Sequence, residues 1–182
     1  MVPDPDSSKT SEHRFVGRYL TICALGVYIV SALAFLLLGG GGSVEAGPNL
    51  HDIQFQTLDG QPSGFDRYQS QPLVVNFFAS TCAPCIAEMP DFESVHQSHG
   101  NRVAFVGLAV NDGVRQARGI VDETGVTYDI GLEPGDDLII ELGGYGLPTT
   151  VFVSGDGEVL ETHTGALTSA DLVEKLENHF DL

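Results

Sequence analysis

Apolar and polar positions along this chain change period several times, and each change predicts an element. Residues 19–38 (YLTICALGVYIVSALAFLLL) carry no charge. At about 1.5 Å rise per residue, a helix of this length matches the roughly 30 Å hydrocarbon core of a bilayer, so one membrane-spanning helix is expected. Gly39 to Gly42 and Ser43 form a tether too glycine-rich to pack. Beyond it, residues 53–57 (IQFQT) alternate as a half-buried strand, with a turn at Asp59-Gly60. Residues 73–79 (LVVNFFA) and 103–110 (VAFVGLAV) are nearly continuous apolar runs, the pattern of central strands covered on both faces. Residues 83–97 and 114–124 have helical spacing, a short segment follows at 127–130, and a small helix is expected at 137–142. Residues 149–154 and 159–164, joined by the turn Gly155-Asp156-Gly157, read as an antiparallel hairpin, and 169–180 as a last helix capped by Thr168 or Ser169. Strands that alternate with helices and end in a hairpin plus helix predict an α/β domain with a central mixed sheet flanked by helices. The chain thus divides into a tail (1–18), a transmembrane helix (19–38), a linker (39–46) and a globular domain (47–182).

Charge fixes how these parts face the membrane. Lys9, Arg14 and Arg18 precede the apolar run, and the next basic residue is Arg67. The positive-inside bias keeps the tail in the cytoplasm and sends the domain across, as a single-pass cell-membrane protein with its folded part outside the cytoplasm. A cleaved signal peptide is the rival reading: Val44-Glu45-Ala46 would serve as its small-residue cleavage site, although its apolar region is normally shorter. The chain holds 25 acidic and 8 basic residues, a formal net charge of -17. Such a surface repels nucleic-acid phosphates, so no nucleic-acid partner is expected.

Only three cysteines are present, which excludes a disulfide-dense scaffold. Cys23 reads as a small apolar residue of the membrane helix. Cys82 and Cys85 lie in FFASTCAPCIAEMP, where the apolar strand gives way to a helix. A thiol at a helix N-terminus faces unpaired N–H groups and the positive end of the macrodipole, which stabilise thiolate; Cys82 is therefore the candidate nucleophile. Cys85, three residues on, lies on the same helix face, close enough to close a disulfide or resolve a mixed one. A structural disulfide across so short a span constrains little chain. Tetrahedral zinc needs more ligands than this sequence offers, with no second CxxC or CxxH. Copper would need a distant donor such as His163, while His96 and His99 are expected to face solvent at a helix end. Peroxide reduction is disfavoured because Phe78-Ala79-Ser80-Thr81 supplies no proline ahead of the cysteine.

Four features in order now carry a family resemblance: VVNFFASTCAPC, the extension CxxCxxExP through Glu88 and Pro90, GLPTT at 146–150, and the hairpin GDGEVLETHTG. Residues 47–182 resemble the thioredoxin superfamily, and within it the membrane-anchored TlpA/ResA-like thiol:disulfide oxidoreductases. The resemblance implies a thioredoxin-like fold in which Pro148 is a cis-proline facing the CxxC and the backbone of Leu147 pairs with a bound peptide. X-Pro is the bond type in which cis is accessible. Glu88 matches a family acid thought to assist the proton transfers of the cysteines; partial desolvation would raise its pKa and let it exchange a proton with Cys85.

Two departures matter. Thr81 stands where most relatives carry tryptophan, leaving a smaller and more polar rim. Asn76 stands where cytoplasmic thioredoxins have a buried proton-accepting aspartate, which shifts that work towards Glu88 or water. No cofactor is implied, since the redox group is the Cys82–Cys85 disulfide itself. The expected activity is reduction of disulfides in exported proteins, with a membrane electron donor and with apocytochrome c or its maturation factors as clients. A disulfide-forming oxidant is the alternative, and a copper-delivery protein the more remote one.

Overall fold

The computed structural model describes Leu33, residues 48–133 and residues 137–182. The expected tail, transmembrane helix and linker therefore lie outside the described residues, Leu33 apart. Among the described residues no helix is long and apolar enough to cross a membrane.

Strand β3 (Leu73–Phe78) organises the domain. It is buried at all six positions, as its apolar run predicts for a strand covered on both faces. It pairs in parallel with β4 (Ala104–Val110), which in turn pairs in parallel with β5 (Asp129–Glu133). On its other side β3 pairs antiparallel with β6 (Thr149–Val153), and β6 with β7 (Val159–Thr164). Strands β1 (Gln54–Thr57) and β2 (Pro62–Gly64) extend the far edge beyond β5. The described strands form one mixed sheet in the order β2-β1-β5-β4-β3-β6-β7.

The α-helices described within the domain are α1 (Ala83–His99), α2 (Val114–Thr124), α3 (Asp137–Glu141) and α4 (Ser169–His179). Successive side chains of β3 point to opposite faces. Val74 and Phe78 enter a core shared with Met89 and Phe92 of α1, Ile120 of α2 and Leu172 of α4. Leu73, Val75 and Phe77 enter a second core with Phe55, Phe65 and Leu138. Asn76 is the one polar residue of β3 and lies on the α1 side.

The expected α/β architecture with a mixed sheet is therefore observed, with refinements at particular elements. The segment expected at 127–130 is a true strand displaced to Asp129–Glu133, because Gly131 and the flanking acids interrupt its apolar pattern. Strand β2 was not expected, since Pro62 and Gly64 read as breakers; proline is tolerated there because the strand lies at a sheet edge. Two short 3-10 helices, Leu50–Asp52 and Phe65–Tyr68, also escaped the periodicity. Helix α1 continues through Pro90 to His99. His96 does not simply face solvent: its half-buried ring packs edge-on against Phe105 and Tyr128, with centroids 5.4 and 5.7 Å away. Helix α2 ends on Gly125 with φ 71°, the left-handed cap that glycine adopts without penalty.

Candidate active site

The parallel register places the chemistry at one end of the sheet. Phe78, the last residue of β3, leads into a turn in which the Cys82 N–H donates to the Ala79 carbonyl at 3.0 Å. Cys82 is the N-cap of α1, and its Sγ accepts from the Cys85 N–H at 3.3 Å. The two cysteines form a disulfide, with Cα atoms 5.3 Å apart. Their exposure differs sharply: Cys82 is half-buried, whereas Cys85 is wholly buried. An incoming sulfur can reach only the former, so burial agrees with the electrostatic argument from the helix N-terminus.

One turn beyond Cys85, Glu88 is 3% exposed. Its Oε1 accepts from Asn76 Nδ2 at 2.8 Å, and its Oε2 from the Leu167 N–H at 2.9 Å. Burial pushes the carboxyl up to about 7; these two hydrogen bonds pull it down, and neighbouring Asp91 adds to the rise. Desolvation dominates because a carboxylate without a cation nearby loses more from leaving water than two neutral donors return.

The Leu147-Pro148 bond is cis, as the family resemblance implied. Thr149 pairs with Phe77, so Leu147 and Pro148 lie just beyond the same end of β3 that leads to Cys82. Pro148 is buried and Leu147 half-buried, packing against both cores. Beside them opens a cavity of about 410 Å³ lined by Val110, Ile139, Ile140, Tyr145 and Leu147 among others. Ile140 is 63% and Tyr145 85% exposed. The rim on this side is therefore large and apolar, in contrast to the small polar rim expected from Thr81, which is itself exposed. His163 lies on β7 opposite Thr150, half-buried. Among the described residues no three His, Cys, Asp or Glu side chains are grouped to hold a metal ion.

Three contributors were not foreseen. Asn76 was read as a lost proton acceptor, yet it donates to Glu88 and helps to hold that carboxyl in place. Leu167, in the loop before α4, adds a backbone donor that no side-chain pattern reveals. Asp112, just past β4, accepts from both the N–H and the hydroxyl of Ser80, at 2.6 and 2.7 Å. The available signal was its place: loops after parallel strands converge at the carboxyl end of a sheet.

Known proteins agree with this geometry. The Redoxin family model matches residues 45–178. The thiol:disulfide interchange protein CycY of Rhizobium leguminosarum bv. viciae is 33% identical over 175 residues, covering 84% of this chain and 93% of CycY. The thiol-disulfide oxidoreductase ResA of Halalkalibacterium halodurans is 26% identical over 134 residues, covering 73% of this chain and 76% of that protein. Among solved structures, MTB DsbF in its mixed oxidized and reduced forms superposes with a TM-score of 0.65 at 25% identity, over 72% of this chain and 97% of DsbF. With the family model matching residues 45–178 and CycY matched over most of both chains, this chain is a member of the redoxin family, among the thiol:disulfide oxidoreductases of the ResA and CycY type.

Proposed function

We propose that this enzyme is anchored in the cell membrane by residues 19–38 and works outside the cytoplasm, reducing disulfides of exported proteins during cytochrome c maturation. The observation that carries the reading is the asymmetry of the dithiol. Cys82 is half-buried at the start of a long helix, while Cys85 is sealed behind it one turn from Glu88.

In the reduced enzyme the Cys82 thiolate attacks one sulfur of the client disulfide. A Cys82–client bond forms, the client S–S bond breaks, and the second client sulfur leaves as thiolate. Glu88 takes the proton of the Cys85 thiol, and the resulting thiolate attacks Cys82 Sγ. The mixed disulfide breaks, the client leaves with both electrons, and the Cys82–Cys85 disulfide remains. A membrane dithiol donor then returns two electrons. Leu147 offers its backbone to the client chain, Thr81 borders the approach, and the apolar cavity beside Leu147 suits an apolar side chain of the client.

A Cys85→Ala chain expressed in its host is expected to accumulate mixed disulfides through Cys82, and mass spectrometry of the trapped complexes names the clients. Trapping through Cys85 in a Cys82→Ala chain instead would refute the nucleophile assignment. The direction is read from the reduction potential in glutathione buffers. A value near the about -120 mV of a strong oxidant would reverse the proposed electron flow.

A further inference from the structure

The turn that delivers Cys82 to the helix is held from outside itself. Residues Ala79 to Cys82 form it, closed by the Cys82 N–H on the Ala79 carbonyl. Its second residue, Ser80, gives both its donors to the two oxygens of Asp112, 32 residues further along the chain. The loop that carries Asp112 is fixed in turn. Asn111 takes a left-handed conformation, φ 55°, which asparagine tolerates better than most residues. Its N–H donates to the Glu133 carbonyl at the end of β5 at 3.0 Å. The path from β5 through Asn111 and Asp112 to Ser80 thus ties the reactive turn to the rigid sheet.

We propose that Asp112 is a positioning residue for the reactive thiol, its carboxylate clamping Ser80 so that Cys82 Sγ stays on the Cys85 N–H. The clamp matters because a thiolate at this helix terminus is stabilised only while its sulfur faces the N–H groups. A bidentate carboxylate suits the task, since hydrogen bonds to a charged acceptor are shorter and stronger than neutral ones.

A clamp and a mere negative charge predict shifts of opposite sign. Deleting a negative charge near Cys82 would favour its thiolate and lower the midpoint of its titration. Releasing the clamp removes a hydrogen bond from the thiolate and raises the midpoint. The test is the pH profile of iodoacetamide alkylation of the reduced full chain, with Cys82 and Cys85 distinguished by peptide mass spectrometry and folding followed by thermal melting. In Asp112→Ala the Cys82 midpoint is expected to rise by about one pH unit, the equivalent of losing one hydrogen bond to a charged group. Asp112→Asn restores the clamp, because its amide oxygen accepts from the Ser80 N–H and its NH₂ donates to the Ser80 hydroxyl; its midpoint should return to the wild-type value or lower. Ser80→Ala deletes one donor and should raise the midpoint by a few tenths of a unit. It supplies the measurement where Asp112→Ala does not fold.

An unmoved or lowered midpoint in both Asp112→Ala and Ser80→Ala overturns the proposal, as does a rise in Asp112→Asn equal to that in Asp112→Ala. A melting point that drops without any shift in midpoint marks a structural role only and has the same force. The proposal rests on Cys82 being the nucleophile. Wild-type alkylation at Cys85 ahead of Cys82 would refute that assignment and the proposal with it, whereas an unmoved Cys82 midpoint refutes the proposal alone.

Discussion

Glu88 couples the stability of the domain to its chemistry. Its carboxyl titrates near 7 when folded and near the ordinary 4.5 when unfolded, so the native state binds its proton more tightly. Stability from this group is fully present below pH about 4.5 and is lost as pH rises through about 7. Above that, holding the charge inside costs up to about 3 kcal/mol. Glu88→Gln should therefore raise the stability of the oxidised protein at pH 8 by up to that amount and leave it nearly unchanged at pH 4, as read by urea unfolding at both values. Glutamine fits because its carbonyl can still accept from the Leu167 N–H, while its NH₂ meets Asn76 turned to present Oδ1. The same variant loses the proton carrier, and disulfide exchange at pH 7 should slow by about 100-fold in a stopped-flow assay with a small disulfide. A variant more stable yet equally fast would mean that Glu88 plays no part in the proton transfers.

At the scale of elements, packing decides where the apolar pattern is weakest. Strand β5 was legible only as a short segment, because Gly131 lacks a side chain and contributes nothing to a hydrophobic count. Its reason lies across the sheet: a Cβ there would come 2.3 Å from Phe55 Cδ2 and 2.9 Å from Leu108 Cδ2. Gly131→Ala should cost about 1 to 3 kcal/mol through overpacking, seen as a lower denaturation midpoint at unchanged m-value. Local signals served better at α4. Thr168 was readable as a cap, and the structure completes the box: its hydroxyl accepts from the Asp171 N–H, and the Asp171 carboxylate accepts from the Thr168 N–H. Thr168→Ala should cost about 1 kcal/mol in the same measurement, without moving the Cys82 alkylation profile. Strands β3 and β4 were equally plain, since central strands present nearly continuous apolar runs, and β6 was legible through its hairpin with β7. Edge strand β2 was not, because three residues containing Pro62 and Gly64 hold no period to read.

For the whole molecule the dominant long-range term is charge. With a net -17 and few basic partners, most carboxylates repel one another across the surface. The ion pairs are few among the described residues: Arg67 with Asp129, Arg118 with Asp59, and Lys175 with Glu161, whose other carboxylate oxygen hydrogen-bonds His179. Raising sodium chloride from about 0.01 M to about 0.5 M shortens the screening length from about 30 Å to a few ångströms. The melting temperature should rise by a few degrees. A fall would show that the few attractive pairs outweigh the repulsion.

What the sequence determined by itself was everything carried by local order along the chain: the alternation of strands and helices, the thiol at a helix start, the proline that proved cis, and an acid three residues beyond Cys85. The elements, the thiol and the acid follow from periodicity and from spacing within one helix, which do not depend on the rest of the fold, and the cis-proline from the family resemblance of the GLPTT segment. Only the tertiary structure decided the surroundings of those groups. Glu88 owes its raised pKa to burial, which outweighs the downward pull of its hydrogen bonds from Asn76 and Leu167, 12 residues before it and 79 after it. Asp112 reaches Ser80 because parallel strands bring their carboxyl ends together, and Tyr145 and Ile140 make the rim apolar from a loop and a helix distant from the cysteines. Desolvation and long-range hydrogen bonds are sums over neighbours in space, and sequence order does not list those neighbours.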